Sequence, residues 1–293
     1  MPLVGETLLG TDFQMVPGGK GNNQAVAAAR AGVPTACVGC LGQDDFGERV
    51  RGFAASEGLD VSHLCTAPGA VTGVAQITVD ASGQNAIVVV PGANWALTPE
   101  LVRAAAPLIR GAGVLLTQLE VPLEAVQEAI QLASGAGVCT VLNPAPARPL
   151  PDALLRQVDV CVPNEHEVGQ LAGMSVDSPA SALRAAGVLI GRGCRSVVVT
   201  LGARGAVYMD VARRLLVPPL PVKAVDSVAA GDAFCGTLAA ALARGGDIES
   251  ALLKASAAGG LATTRAGATS SLPTDADVER LLGDHPQLAV EKL

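Results

Sequence analysis

The sequence predicts an α/β fold: a mostly parallel central sheet flanked by helices on both faces, with a small β-sheet set over it as a lid. Three observations carry this. Short β-branched runs alternate with Ala/Leu-rich stretches along most of the 293 residues, the rhythm of parallel strands joined by helical crossovers. Those runs are continuously apolar, as strands covered on both faces must be. One segment, 72–90, breaks the rhythm with two runs of period-two alternation, the mark of a hairpin.

In chain order the pattern gives helices near 23–31, 46–57, 99–109, 123–133 and 180–190, and strands over 35–41, 114–118, 138–142, 159–162 and 196–200. Thr98 reads as an N-cap and Pro99 as the first helical residue behind it. The hairpin pairs 72–80 with 85–90 around the turn signal Asp80-Ala81-Ser82-Gly83. Residues 6–16 are expected to add a strand beside it. The lid then comprises 1–16 and 71–95, and the α/β domain 17–70 and 96–293. Ligands of such sheets sit at the carboxyl ends of the strands, where a lid excludes water.

Composition excludes several classes. A net charge of −7 and a pI near 5.0 argue against nucleic-acid or anionic-membrane partners. A mean hydropathy of +0.41 with 34 glycines gives an Ala/Val/Leu/Gly core large enough to need no metal or crosslink. No charge-free stretch is long and apolar enough for a spanning helix, and MPLVGETLLG lacks the features of a signal peptide. Seven cysteines scattered through apolar runs suit a reduced, cytoplasmic interior. Cys37 and Cys40 form a CxxC, but on a strand they point to opposite faces. With no second CxxC or nearby His, they read as core.

Two glycine-rich stretches carry the chemistry. Pro17-Gly18-Gly19-Lys20-Gly21-Asn22-Asn23-Gln24 runs into the helix AVAAARAG. It is not a Walker loop, because Gln14 stands at the first glycine position and Gly21 at the Ser/Thr position. It offers close backbone approach, an ammonium and amides, which suit a polyhydroxylated ligand; the plainer reading is a tight turn with a solvated lysine. The second stretch, Asp226-Ser227-Val228-Ala229-Ala230-Gly231-Asp232-Ala233-Phe234, opens another helix. Small residues there leave backbone N–H groups free to face an anion. Asp232 is either a helix cap or a base beside a phosphate, placed to take a proton from an alcohol.

Together these stretches resemble the phosphofructokinase-B carbohydrate kinase family, in its ribokinase branch. GGKGNNQAVAAARAG is similar to the family's first signature and DSVAAGDAF to its second, with VPGANWALTP, LLTQLEVP, VLNPAPA, PNEHE and TLGARG between them in order. The resemblance covers essentially the whole chain. It implies the ribokinase-like fold and an ATP-dependent kinase that converts D-ribose to D-ribose 5-phosphate. Gly19, Lys20, Gly21, Asn23, Glu120 and Asp232 would contact the sugar. Asp232 would be the base, with Ala229, Ala230 and Gly231 as the anion hole. Asn164, Thr200, Leu201, Gly202, Ala203, Arg204, Gly205, Gly231, Asp232 and Ser256 would bind ATP, and Asn164 and Glu167 would organise Mg²⁺. A potassium ion would sit at Asp226, Val228, Ala262, Arg265, Gly267 and Ser271. The resemblance also implies a homodimer joined through the lid. His63, His166 and His285 read as residues without a ligand role.

The sequence departs from the family at its start. MPLVGET resembles the segment after the family's first strand, so that strand, which ends in Asn-x-Asp, is expected to be missing from these residues. A start lying upstream, or a truncated gene model, is one account; a weakened or non-catalytic sugar- or nucleotide-binding paralogue is the other. Intact Asp232, Asn164, Glu167 and Lys20 favour the first. A kinase for deoxyribose or another furanose or nucleoside remains the alternative activity.

Overall fold

A computed structural model of the chain describes residues 5–80 and 85–293. The elements run in order α1 (Lys20–Arg30), β1 (Ala36–Gly42), α2 (Asp45–Ser56), β2 (Asp60–Ala67), β3 (Val74–Val79), β4 (Asn85–Val90), α3 (Pro99–Ala104), α4 (Ala106–Gly111), β5 (Val114–Thr117), α5 (Leu123–Gly135) and β6 (Cys139–Leu142). They continue with α6 (Asp152–Leu155), β7 (Val160–Cys161), α7 (Glu165–Ala172), α8 (Pro179–Gly191), β8 (Ser196–Thr200), β9 (Ala206–Asp210), β10 (Arg214–Val217), α9 (Ala230–Ala243), α10 (Ile248–Ala262), α11 (Asp275–Asp284) and β11 (Glu291–Lys292).

The main sheet has seven strands in the order β5-β6-β7-β8-β9-β10-β11. Its β5–β8 half is parallel, and β9, β10 and β11 continue it antiparallel. Alternate residues of each strand serve opposite faces. Val141, Val160 and Val198 pack with Leu238 of α9 and Leu252 of α10. Their neighbours Leu142, Cys161, Val197 and Val199 pack with Ile130, Val168 and Leu189 of α5, α7 and α8. Small residues let helices close in: a Cβ on Gly236 of α9 would stand 2.4 Å from the Gln24 carbonyl of α1. That approach brings the two glycine-rich segments together.

β1 and β2 form a separate two-stranded parallel sheet, and β3 and β4 an antiparallel hairpin. Among the described residues, β1 pairs only with β2 and β5 only with β6. Residues of both strands and Ala239, Ala240 and Ala243 of α9 line one cavity of about 2530 Å³ that extends up to the hairpin. The hairpin exposes Val74, Ile77, Val79, Val88, Val89 and Val90. It is rooted at Thr72, whose N–H and hydroxyl donate to Asp44 at 2.7 and 2.6 Å and whose hydroxyl accepts from the Gly42 N–H at 2.9 Å.

Two expectations need correction. Among the described residues, 6–16 form no strand, and Leu9 and Phe13 are 97% and 80% exposed. The helix read over 99–109 is two helices that meet at Ala105, because Pro107 is tolerated only in a first turn. Thr98 caps the first of them as expected, accepting from the Leu101 N–H. The hairpin turn at 81–83 and the opening residues 1–4 lie outside the described residues.

Candidate active site

The site is assembled at the start of α1 and the start of α9. Gly19, at φ 88°, precedes α1 in a conformation natural to glycine. The Lys20 N–H donates to Glu120 Oε2 at 2.9 Å, and the Glu120 N–H donates to Gln118 Oε1 at 2.5 Å, which ties the loop after β5 to the α1 terminus. One turn into α1, Asn23 Nδ2 donates to Asp232 Oδ2 at 2.8 Å. Gln24 Nε2 donates to the other oxygen, Asp232 Oδ1, at 3.0 Å. Asp232 is 6% exposed. The cap reading of Asp232 fails: its side chain accepts from two amides of α1, and the α9 N-cap, Ala229, makes no side-chain capping bond. Asn23 Oδ1 and Asn22 Nδ2 are buried without a partner among the described residues, so an unmet acceptor stands on the side chain that already holds Asp232. A ligand hydroxyl is the group that would satisfy it.

Ala229 has φ 61°, the one positive φ at a non-glycine among the described residues, and strain of this kind gathers at functional sites. It turns the backbone so that α9 begins with its first-turn amides open. The Ala230 N–H donates to the Ser227 carbonyl at 3.3 Å, which leaves those of Gly231 and Asp232 for an anion. Glu167 belongs to the same electrostatic neighbourhood. Burial pushes its carboxyl up from the ordinary range, the Asn164 hydrogen bond and the Lys20 charge act against that, and Asp232 adds to it. The Cys235 thiol, one turn beyond Asp232, is held neutral by burial.

Asn164 and Glu167 form a reciprocal capping box at the start of α7, each accepting the other's N–H at 2.8 Å. That uses one oxygen of Glu167 and leaves Oε1, a fit for Mg²⁺ held through water. A parallel bridge joins Asn164 to Thr200, which places the loop of Leu201, Gly202, Ala203, Arg204 and Gly205 beside α7. Gly205 is required there: at φ 82°, a Cβ would lie 2.1 Å from the Val217 carbonyl. The Arg204 guanidinium donates to both Glu165 oxygens and to the Asp177 carbonyl, so it holds the loop. Ser256 lies half-buried on α10, which packs against α9.

Asp226 links two loops, accepting the Val228 N–H through Oδ1 and the Gly267 N–H through Oδ2, each at 3.0 Å. The carbonyls of Val228, Arg265 and Gly267 accept no hydrogen bond among the described residues. With the carboxylate they suit a hard cation. Ala262 ends α10 beside them, and Ser271 is buried with its hydroxyl donating to the Ala268 carbonyl. Cys37 and Cys40 pack into different core clusters, and burial raises both thiols to about 11. Among the described residues no group of three or more His, Cys, Asp or Glu side chains could hold a metal, and no helix is long and apolar enough to cross a membrane. His166 is exposed.

Gln24 and Asn143 were not among the residues singled out. Asn143 Oδ1 accepts from Gln24 Nε2 at 3.1 Å, and both are buried. Asn143 could have been noticed as a polar residue at the end of the apolar run Cys139–Leu142, and Gln24 as the polar residue that closes the first glycine-rich stretch.

The pfkB family carbohydrate kinase profile matches residues 3–275. The chain belongs to this family. This pfkB kinase is therefore a phosphotransferase acting on a sugar. It is 41% identical over 270 residues to a ribokinase of Haemophilus influenzae, covering 92% of this chain and 88% of that one. It is 38% identical over 275 residues to a deoxyribokinase of Salmonella typhi, covering 94% and 90%. Its fold is similar to that of an Arabidopsis thaliana ribokinase complexed with ribose and ATP, with TM-score 0.91, 30% identity, and 96% and 92% of the two chains covered.

Proposed function

We propose that this kinase transfers the γ-phosphoryl group of ATP to the 5-hydroxyl of D-ribose, with Asp232 as general base. The observation that carries the reading is the buried carboxylate, with Asn23 and Gln24 each donating to one of its oxygens beside an unmet acceptor on Asn23. The ribose hydroxyl gives its proton to Asp232 as its oxygen bonds to the γ-phosphorus; the bond from phosphorus to the β-bridging oxygen breaks, and ADP leaves. The amides of Gly231 and Asp232 stabilise the charge spread over the transferred group. Gly19, Lys20, Gly21, Asn23 and Glu120 orient the sugar; the Thr200–Gly205 loop, Asn164 and Ser256 hold the nucleotide. Glu167 would hold Mg²⁺ through water, where the ion would supply positive charge against the phosphates, and Asp226 with the neighbouring carbonyls would hold K⁺. Closure of the β3–β4 lid excludes water. The exposed apolar face of that lid supports a homodimer, and the buried free cysteines suit a cytoplasmic setting.

The test is ATP consumption over a panel of D-ribose, 2-deoxy-D-ribose and nucleosides. D-ribose is expected to give the highest kcat/KM. A higher value for deoxyribose would move the assignment to the activity named for the Salmonella relative. Binding of sugar without turnover of any member would replace the kinase reading with that of a sensor.

A further inference from the structure

Asp232 is fixed from two directions, by Asn23 and by Gln24. Asn23 reaches Asp232 Oδ2 with one end of its amide and leaves the other, Oδ1, buried without a partner among the described residues. Gln24 spends both hydrogens of its Nε2 inside the protein, one on Asp232 Oδ1 at 3.0 Å and one on Asn143 Oδ1 at 3.1 Å. It has no donor left for a ligand and is 2% exposed. Asn143 is anchored in turn: its Nδ2 donates to the Val162 carbonyl at 2.7 Å and its N–H to the Thr117 carbonyl at 2.9 Å. Those partners follow β7 and close β5. The amide orientations are mutually enforced, because reversing Asn143 would set two NH₂ groups against each other and two carbonyls against each other.

We infer that Gln24 is a positioning residue, the middle link of a relay that fixes the Asp232 carboxylate to the ends of the central sheet through Asn143. The inference rests on the reading of Asp232 as the base. With Asn23 on one oxygen and Gln24 on the other, the carboxylate cannot turn about its own axis. The lone pair that takes the proton stays aimed at one place. With no donor to spare for sugar or nucleotide, Gln24 acts through Asp232, and its loss falls on the chemical step rather than on ground-state binding.

The decisive variant is Gln24→Met, which keeps the side-chain length in a packed site and removes both donors. With D-ribose and ATP, kcat is expected to fall about 10- to 100-fold, the scale of a misplaced catalytic group. The KM values for both substrates should stay within about twofold, since uniform binding is untouched. Gln24→Glu should lose more, because it sets a second carboxylate against Asp232. In an Asp232→Asn background, Gln24→Met should cost nothing further, as expected of residues acting as a unit. A cooperative thermal transition verifies folding; if Gln24→Met loses it, Asn143→Ala, which frees Gln24 from the sheet, carries the same test. Parent-like kcat in the folded variant, a loss confined to KM, or full additivity with Asp232→Asn would overturn the relay. Parent-like turnover in Asp232→Asn alone would instead remove the base reading beneath it, so the two failures are distinguishable.

Discussion

Asn23 on α1 and Asp232 on α9, 209 positions apart in sequence, are joined by a buried 2.8 Å hydrogen bond from Nδ2 to Oδ2. The bond joins the two glycine-rich motifs and gives the carboxylate proposed as the base a fixed place. Replacing Asp232 by Asn keeps the volume and removes that carboxylate. Turnover should fall about 10²- to 10⁴-fold, the range typical of general-base loss. Sugar affinity, measured calorimetrically, should change far less. Near-parent turnover would exclude Asp232 as the base.

The Asp226 carboxylate ties the segment before α9 to the loop after α10 through the N–H groups of Val228 and Gly267. A monovalent cation among the neighbouring carbonyls would set the geometry of the anion-binding turn. Exchanging potassium for sodium at constant ionic strength should therefore lower kcat. Asp226→Ala should start low and respond to neither ion. Equal parent rates in the two salts would take the cation out of the mechanism.

Glu167 yields a pH prediction with a defined sign. Burial raises its carboxyl above the ordinary value of 4.5, so the folded state holds the proton more tightly than the unfolded chain. The associated stability is present below that value and is lost as pH rises through the folded one. Glu167→Gln keeps a capping-box residue at the same helical position and removes the titration. Its Tm relative to the parent should become more favourable as pH is raised from about 4.5, while activity at neutral pH falls. A Tm difference independent of pH would contradict the burial argument.

The Arg204 guanidinium, in the loop proposed to hold ATP, donates to Glu165 and the Asp177 carbonyl. The pair is partly exposed, at 42% and 24%, so Arg204→Ala should cost no more than about 1 kcal/mol of stability. Its expected effect is on the loop: KM for ATP rises, KM for sugar stays, and Glu165→Gln reproduces the change. Loss of kcat at unchanged KM for ATP would point to direct contact with the transferred group.

How much of this was legible depended on whether each signal was local. Val114–Thr117, Cys139–Leu142 and Ser196–Thr200 announce themselves because a strand buried on both faces needs apolar residues throughout. The antiparallel half did not. Ala206–Asp210 and Arg214–Val217 break their apolar runs with charged residues at the turn, which is made by Asp210 accepting the Ala212 and Arg213 N–H groups at 2.8 and 2.7 Å; that Asx-type turn was the available clue. The motif residues of the site were visible as motifs. Gln24 and Asn143 lay inside quoted motifs but drew no role, because a buried polar residue gains its meaning from a partner 119 positions away. Residues 6–16 looked strand-like by composition, but a strand exists only where another edge accepts its hydrogen bonds.

The last prediction concerns the interrupted sheet. β1 and β5 each lack a second neighbour among the described residues, and both line the large cavity with Ala239, Ala240 and Ala243 of α9. Strand edges and small apolar side chains in such a place leave backbone groups unpaired and helix faces poorly packed. The 293-residue chain should therefore bind a hydrophobic dye, associate at raised concentration and melt with weak cooperativity. A short apolar strand entering that cavity is expected to pair with an open strand edge there and to cover the alanines of α9. Supplying one, as a synthetic peptide or joined ahead of residue 5, should suppress dye binding, sharpen the thermal transition and raise ribose-dependent ATP turnover together. Ribose should protect the completed form against heat far more than the present one, because the cavity reaches Lys20 and Asn23 at the sugar side. A parent chain that is already monodisperse, silent to the dye and sharply cooperative would mean that the two edges close on each other in solution, and the added strand would then have no effect.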